Sequence, residues 1–219
     1  MNLKKQLFIA FVISFVALLG FGIMAVLVSK HTILTFDGNI ISFIQGFEAP
    51  MLTTIMKFFS FIGGTIPVIV ISLFSIVFLY KVLKHRSELV LFIAVILGAN
   101  VLFVTLKQLF HRARPDLHRL AVASNYSFPS GHATMAFALY GVLTFLLWRH
   151  ISTRLGRTLL IILSGFMIAA IGISRIYLGV HYPSDIIAGY FMSAFWLTFA
   201  IGYYQRYKER HDRQKQANK

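Results

Sequence analysis

Six long apolar runs dominate this chain, and they leave few folds open to it. A helix needs roughly 20 mostly apolar residues to cross the hydrocarbon core of a bilayer. The runs Leu7–Val28, Phe61–Tyr80, Leu89–Leu106, Ala133–Trp148, Leu159–Ser174 and Ile186–Tyr204 meet or approach that length. Backbone in lipid must satisfy its own hydrogen bonds, so such runs become helices. The expectation is an all-α, polytopic membrane bundle with six transmembrane helices, forming one membrane-embedded domain over residues 1–219. The fourth and fifth runs are short and are expected to extend into their flanks or to stand nearly upright. The first is too long for a signal peptide, and no small-residue cleavage site follows it, so it reads as an anchor.

Composition narrows the function classes. The chain is 58% hydrophobic and 13% charged, whereas a soluble domain is about a quarter charged. That leaves no room for a separate soluble domain. The formal charge of +14 would fit nucleic acid in a soluble protein. On this background it fits basic residues flanking membrane helices instead, so no nucleic acid is expected as a partner. There is no cysteine, which excludes disulfides and thiolate metal sites.

Lys and Arg also orient the bundle. With a cytoplasmic N-terminus, the inner segments hold 14 of them: Lys4, Lys5, Lys81, Lys84, Arg86, Arg149, Arg154, Arg157 and six after residue 204. The outer segments hold 7: Lys30, Lys57, Lys107, Arg112, Arg114, Arg119 and Arg175. The positive-inside rule then predicts a multi-pass protein of the plasma membrane with both termini in the cytoplasm. The tail after 204 reads as a solvated anchor at anionic headgroups. In the 29–60 connection, Ile40, Ile41, Ile44 and Phe47 fall at helical spacing, with Pro50 as the stop. Either a short interfacial helix or an irregular packed loop fits there.

Three polar clusters interrupt the apolar background. "KQLFHRARP" (107–115) closes the third run. Lys107 and Arg114 are two helical turns apart, on one face, and Pro115 ends the helix. "FPSGH" (128–132) precedes the fourth run, with Ser130 as a natural N-cap and Gly131 allowing close approach of backbone. The N–H groups of that helix start form an anion site. "GISRIYLGVHYPSD" (172–185) joins the fifth and sixth runs, with Pro183 in a first helical turn and Asp185 close behind. The connection between crossings three and four lies on the same side as that between five and six. The clusters can therefore converge, and the charge count places them at the outer face.

Three permanent cations and a helix start describe a pocket for a multiply charged oxyanion. His132 and His181 add proton transfer or nucleophilic attack. Asp185 lies four residues after His181 and is spaced to set its tautomer. Together these parts indicate phosphoryl transfer through histidine, with Arg and Lys in place of a metal. Zinc on His132, His181 and Asp185 is disfavoured by the surrounding cations, so neither metal nor cofactor is expected.

"KQLFHRARP", "PSGH" and "SRIYLGVHYPSD" resemble the three-part signature of the type-2 phosphatidic acid phosphatase superfamily, K-x6-R-P, P-S-G-H and S-R-x5-H-x3-D, without a departure. The resemblance implies a metal-independent lipid phosphatase on a helical bundle. It implies His181 as the nucleophile that forms a phosphohistidine, Asp185 as its orienting partner and His132 as the general acid. Lys107, Arg114, Ser130, Gly131 and Arg175 would hold the phosphate oxygens. The small size and bare loops are similar to bacterial members acting on undecaprenyl pyrophosphate, phosphatidylglycerol phosphate or both. Release of the prenyl carrier at the outer face favours undecaprenyl pyrophosphate. The expected partners are a lipid phosphate and the bilayer, with no obligate protein partner.

Each residue also has a plainer explanation. Lys107, Arg114 and Arg175 alone would be basic residues snorkelling at helix ends, Ser130 a cap, His132 a hydrogen-bonded bundle histidine, and Asp185 a first-turn acid. Arg112 and Arg119 read as headgroup guides or solvated loop charges, and His111 and His118 as minor substrate contacts at most. Tyr126, Phe128, Tyr177 and Tyr182 read as interfacial aromatics, and Asn100 as an interhelical hydrogen bond. A non-catalytic lipid-phosphate binder or transporter would need the cations but not two histidines and an aligned aspartate.

Overall fold

The computed structural model describes residues 3–81, 86–116 and 118–217. Lys84 and Lys219, counted above for orientation, lie outside the described residues. Among those residues the chain is all-helical, with α1 Leu3–Ser29, α2 Leu34–Gln45, α3 Pro50–Ile62, α4 Thr65–Lys81, α5 Arg86–Phe110, α6 Gly131–Trp148, α7 Arg154–Tyr177 and α8 Pro183–Ala217. Five of them (α1, α5, α6, α7 and α8) are long and apolar enough to cross a membrane alone. The sixth candidate span is the pair α3–α4, bent by 51°. The bend falls at Gly63–Gly64, so the apolar run 61–80 is not one continuous helix. An added Cβ at Gly63 would sit 2.4 Å from Ile171 Cγ2, and only glycine lets α7 approach there.

The 29–60 connection is helical. Ile41 is buried and Ile44 partly so, packed with Ile176 and Ile186 near the start of α8. Phe47 falls outside α2 and is exposed. Gly46 ends that helix, its N–H reaching Ser42 O. Pro50 begins α3, at the position where its missing N–H costs nothing.

The core is built on α6. Its Ala138, Leu139, Val142 and Leu146 are buried with Phe92, Val95 and Ala99 of α5 and Leu197 and Tyr204 of α8. Helix α1 lies along α8, where Ser14 Oγ donates to Phe195 O at 3.2 Å. Outward-facing Phe8, Phe11, Ile66, Phe74 and Leu163 are exposed, as a hydrocarbon-contacting surface requires.

Small residues let the helices approach closely. Gly98 of α5 meets Trp196 of α8, whose indole N–H donates to Ala94 O and Val95 O, each at 3.2 Å. A Cβ at 98 would lie 2.2 Å from that ring. Gly98→Ala is therefore expected to destabilise the bundle by about 1–3 kcal/mol through overpacking. Gly22→Ala, where an added Cβ meets nothing within 4 Å, is the control and should cost nothing. Thermal unfolding in detergent compares them; equal midpoints would show that α8 slides to accommodate the methyl.

Candidate active site

Three helix ends and one loop build the site. Helix α5 ends at Phe110, and the irregular 111–116 segment that follows carries Arg112 and Arg114. Helix α6 starts behind Ser130, whose Oγ accepts from Ala133 N at 3.4 Å. Helix α7 ends at Tyr177, and Gly179 at φ +68° reverses the chain. That conformation suits glycine, and a Cβ there would lie 2.2 Å from His118 O. The reversal sets Arg175, on the last turn of α7, and His181 on one cleft.

The cleft has a volume of about 1000 Å3, and Lys107, Arg114, Gly131, His132, Arg175 and His181 line its polar end. Ser130 and Asp185 stand directly behind it, fully buried. All eight residues singled out from the sequence thus meet at one place. From there the cleft continues between α4 and α5 along apolar side chains such as Ile69, Leu73, Ile76 and Leu97.

His181 is buried. Its Nδ1 faces Asp185 Oδ2 at 3.3 Å and Ser127 Oγ at 3.3 Å, and its Nε2 faces Arg114 Nη1 at 3.2 Å. With Nδ1 protonated toward the carboxylate, Nε2 carries the lone pair on the cleft side. Burial depresses the proton affinity of the ring, and Asp185 opposes that through its hydrogen bond and charge. The net effect keeps the imidazole neutral. Asp185 Oδ2 also accepts the N–H of Tyr182 at 2.9 Å and the hydroxyl of Ser127. The contact with Tyr182 is the reach-back of a capping box at the start of α8.

Arg114 uses all five of its donors. They reach Asn125 O at 2.9 Å, Ser124 O at 2.8 Å, Tyr126 O at 3.4 Å, Val180 O at 2.6 Å and His181 Nε2 at 3.2 Å. Burial lowers the proton affinity of this guanidinium, and Asp185 partly offsets the effect. Lys107 Nζ donates to Tyr126 O and to Ser127 O, the latter at 3.4 Å. Arg175 Nη1 donates to Ser60 Oγ of α3, while its buried Nε has no partner among the described residues. An orphaned buried donor is rare, and on a cleft lined by Lys107 and Arg114 this one is suited to an anion. The ring of His132 makes no hydrogen bond to any described residue, unlike a structural bundle histidine.

Several other side chains differ from their sequence reading. Arg112 is neither a solvated charge nor a headgroup guide: its side chain is 10% exposed and lies between Asp37 and Asp185. Tyr177 and Phe128 are buried, where α2, α3 and α1 cover them. Tyr177 Oη pairs with Thr53 Oγ1 at 2.8 Å, and Phe128 packs on Phe21 and Phe110. Asn100 lines the cleft and makes no side-chain hydrogen bond to any described residue. His118 pairs with Glu48 at 2.9 Å, and His111 packs edge-on against Tyr126. Asp37, Ser60 and Ser127 had no signal in the sequence, apart from Ser127 lying three residues before Ser130.

Known proteins are similar to this chain in sequence and fold. A phosphatidylglycerophosphatase B of Bacillus subtilis is 33% identical over 104 residues, 47% of this chain and 51% of that protein. The Escherichia coli protein YbjG, provisionally named an undecaprenyl-diphosphatase, is 34% identical over 127 residues, 55% of this chain and 59% of that one. The matches thus span only about half the length of these relatives. The crystal structure of a transmembrane PAP2 type phosphatidylglycerolphosphate phosphatase from Bacillus subtilis superposes with a TM-score of 0.76 at 26% identity. It covers 87% of this chain and 94% of its own. The profile of the PAP2 superfamily matches residues 88–209, more than half of the chain and all three polar clusters. The chain is a membrane-embedded member of the PAP2 superfamily.

Proposed function

We propose that this chain is a lipid phosphate phosphatase acting through a phosphohistidine at His181, without a metal, as one domain over its whole length. The observation that carries the reading is the His181 ring, braced at Nδ1 by Asp185 with Nε2 on a cation-lined cleft. Nε2 attacks phosphorus, and the bond to the leaving oxygen breaks as His132 protonates that oxygen. Water then attacks the phosphohistidine, His132 takes its proton, and free phosphate leaves. Lys107, Arg114, Arg175 and the backbone at Gly131 hold the phosphate oxygens. Ser130, buried as the cap of α6, keeps that backbone in place. As the ring attacks, the Arg114 N–H that faces Nε2 stays on the guanidinium and its hydrogen bond passes to a phosphate oxygen.

The apolar arm of the cleft supports a lipid substrate. From Lys107 to Phe92 it follows α5 for about 22 Å at 1.5 Å per residue, room for a chain lying in the membrane. With both termini cytoplasmic, the site opens at the outer face, where a prenyl carrier is released, so undecaprenyl pyrophosphate is the first substrate. Phosphatidylglycerol phosphate is the second reading, favoured by the named activity of the Bacillus subtilis relatives.

Phosphate release from each lipid, in detergent with EDTA present, tests both parts. Release should persist in EDTA and be faster from undecaprenyl pyrophosphate. A strong preference for phosphatidylglycerol phosphate reverses the order of substrates, and loss in EDTA rejects the metal-free mechanism. No release from either lipid favours a binder.

A further inference from the structure

Behind the site lies a buried chain of charges that reaches a helix outside the region matched by the family profile. Arg112 Nη1 donates to Asp185 Oδ1 at 2.6 Å and to Ser184 Oγ at 2.7 Å. Its Nη2 donates to Asp37 Oδ2 at 2.8 Å. Asp37 Oδ1 accepts the N–H of Ser184 at 2.9 Å, and its Oδ2 accepts the Ser184 hydroxyl at 2.6 Å. The guanidinium stacks 4.0 Å from the centroid of the Tyr182 ring. Both carboxylates are fully buried and the guanidinium nearly so.

Such a triad is an expensive way to hold helices together. Desolvating three charges commonly costs as much as their attraction returns, and apolar side chains of similar volume do as well or better. Its position is more informative. Asp185 presents one oxygen to Arg112 and the other to His181, so any change in the charge or tilt of the guanidinium reaches the imidazole through one carboxylate.

We propose that Asp37 and Arg112 are positioning residues for the phosphoryl-transfer step: a clamp, closed by α2, that fixes the rotamer of Asp185 and tunes the proton affinity of His181. This rests on the reading of His181 as the nucleophile. The clamp works in two opposed parts. Arg112 keeps Asp185 an anion that accepts a hydrogen bond from Nδ1 without taking its proton. Asp37 balances Arg112, so that the cation does not weaken that hydrogen bond. The other charged or titratable groups around His181 and Asp185 are Lys107 of α5, Arg114 of the 111–116 segment, His132 of α6, Arg175 of α7 and Tyr182 at the start of α8. They stay the same when the clamp is altered.

The sign of the effect follows from charge. His181 attacks as the neutral ring, so activity falls on the acid side as the ring takes a proton. Removing the cation in Arg112→Gln favours imidazolium and moves the acid limb to higher pH. Removing the anion in Asp37→Asn disfavours imidazolium and moves it to lower pH. A unit charge beyond Asp185 is worth about one pH unit at an effective dielectric constant near 20.

The test is a set of pH–rate profiles of the full chain in detergent for wild type, Arg112→Gln, Arg112→Lys, Asp37→Asn and the double variant Arg112→Gln/Asp37→Asn. Phosphate release from a single lipid phosphate is the readout, so ionisation of the substrate cancels. Arg112→Gln should lower kcat about 10–100-fold, by analogy with the loss of a partner that orients a metal-ligating side chain, with KM little changed. Arg112→Lys should restore the position of the limb but only part of kcat, since an ammonium lacks the fork that spans two carboxylates. The double variant should be no slower than Arg112→Gln, because Asp37 acts through Arg112. Limbs that do not move, or that move together, overturn the clamp, as does a double variant slower by the product of the single losses. If Arg112→Gln does not fold, the Arg112→Lys and Asp37→Asn profiles decide. His181→Ala, run alongside, separates the two proposals. Release by that variant rejects the nucleophile, whereas His181-dependent release with unshifted limbs rejects the clamp alone.

Discussion

His181→Ala is expected to lower phosphate release by about 10^4-fold or more, the scale seen when a covalent nucleophile is removed. The loss should lie in kcat, because Lys107, Arg114 and Arg175 remain to bind phosphate. The structural cost is limited. Ser127 still donates to Asp185, as does the N–H of Tyr182. Arg114 loses one acceptor of five, and a buried donor left unpaired costs about 1–3 kcal/mol. The chain should therefore fold, which thermal unfolding in detergent verifies. A second readout is covalent. Wild type quenched during turnover of a radiolabelled lipid phosphate should retain label on the protein, and His181→Ala should retain none. A variant that keeps rates within about tenfold of wild type, or that still takes up label, would send the search for a nucleophile elsewhere.

Asp185→Asn is the second large effect, also expected near 10^4-fold in kcat, as when the acid that orients a catalytic histidine is replaced by its amide. The amide cannot satisfy its surroundings. Asp185 Oδ1 accepts from Arg112, while Oδ2 accepts from Tyr182 N, Ser127 and His181 Nδ1. Every neighbour is a donor, so whichever way the carboxamide turns, its NH2 meets donors in a buried site. When it turns toward His181 it favours the tautomer with the proton on Nε2, which removes the attacking lone pair. Breaking one arm of a buried ion pair costs about 3–5 kcal/mol, reduced here because Arg112 keeps Asp37. Rate and unfolding midpoint must therefore be measured together. A stable variant with kcat within about tenfold of wild type would show that His181 needs no orienting carboxylate.

The sequence by itself determined the membrane class, most of the long helices and which polar clusters share one side of the bundle. Apolar length and polar punctuation are local properties, and a bilayer leaves the backbone little choice. Parity of the crossings then brings Lys107, Arg114, His132 and His181 to one side before any packing is known. Pro183 and Ser130 mark the starts of α8 and α6 because capping acts within a single turn. Tertiary structure decided what stands behind that wall. Arg112 looks like any loop cation until α2 delivers Asp37 and α8 delivers Asp185, 75 and 73 residues away. Arg114 reads as a free anion binder until the 124–127 loop and Val180 occupy its donors. The break at Gly63–Gly64 was hidden because both sides of it are equally apolar, and hydropathy cannot register a bend that Ile171 of α7 makes necessary. Pairings across such distances depend on which faces of the helices meet, and helices that are apolar on nearly every side carry little sequence signal of which faces those are.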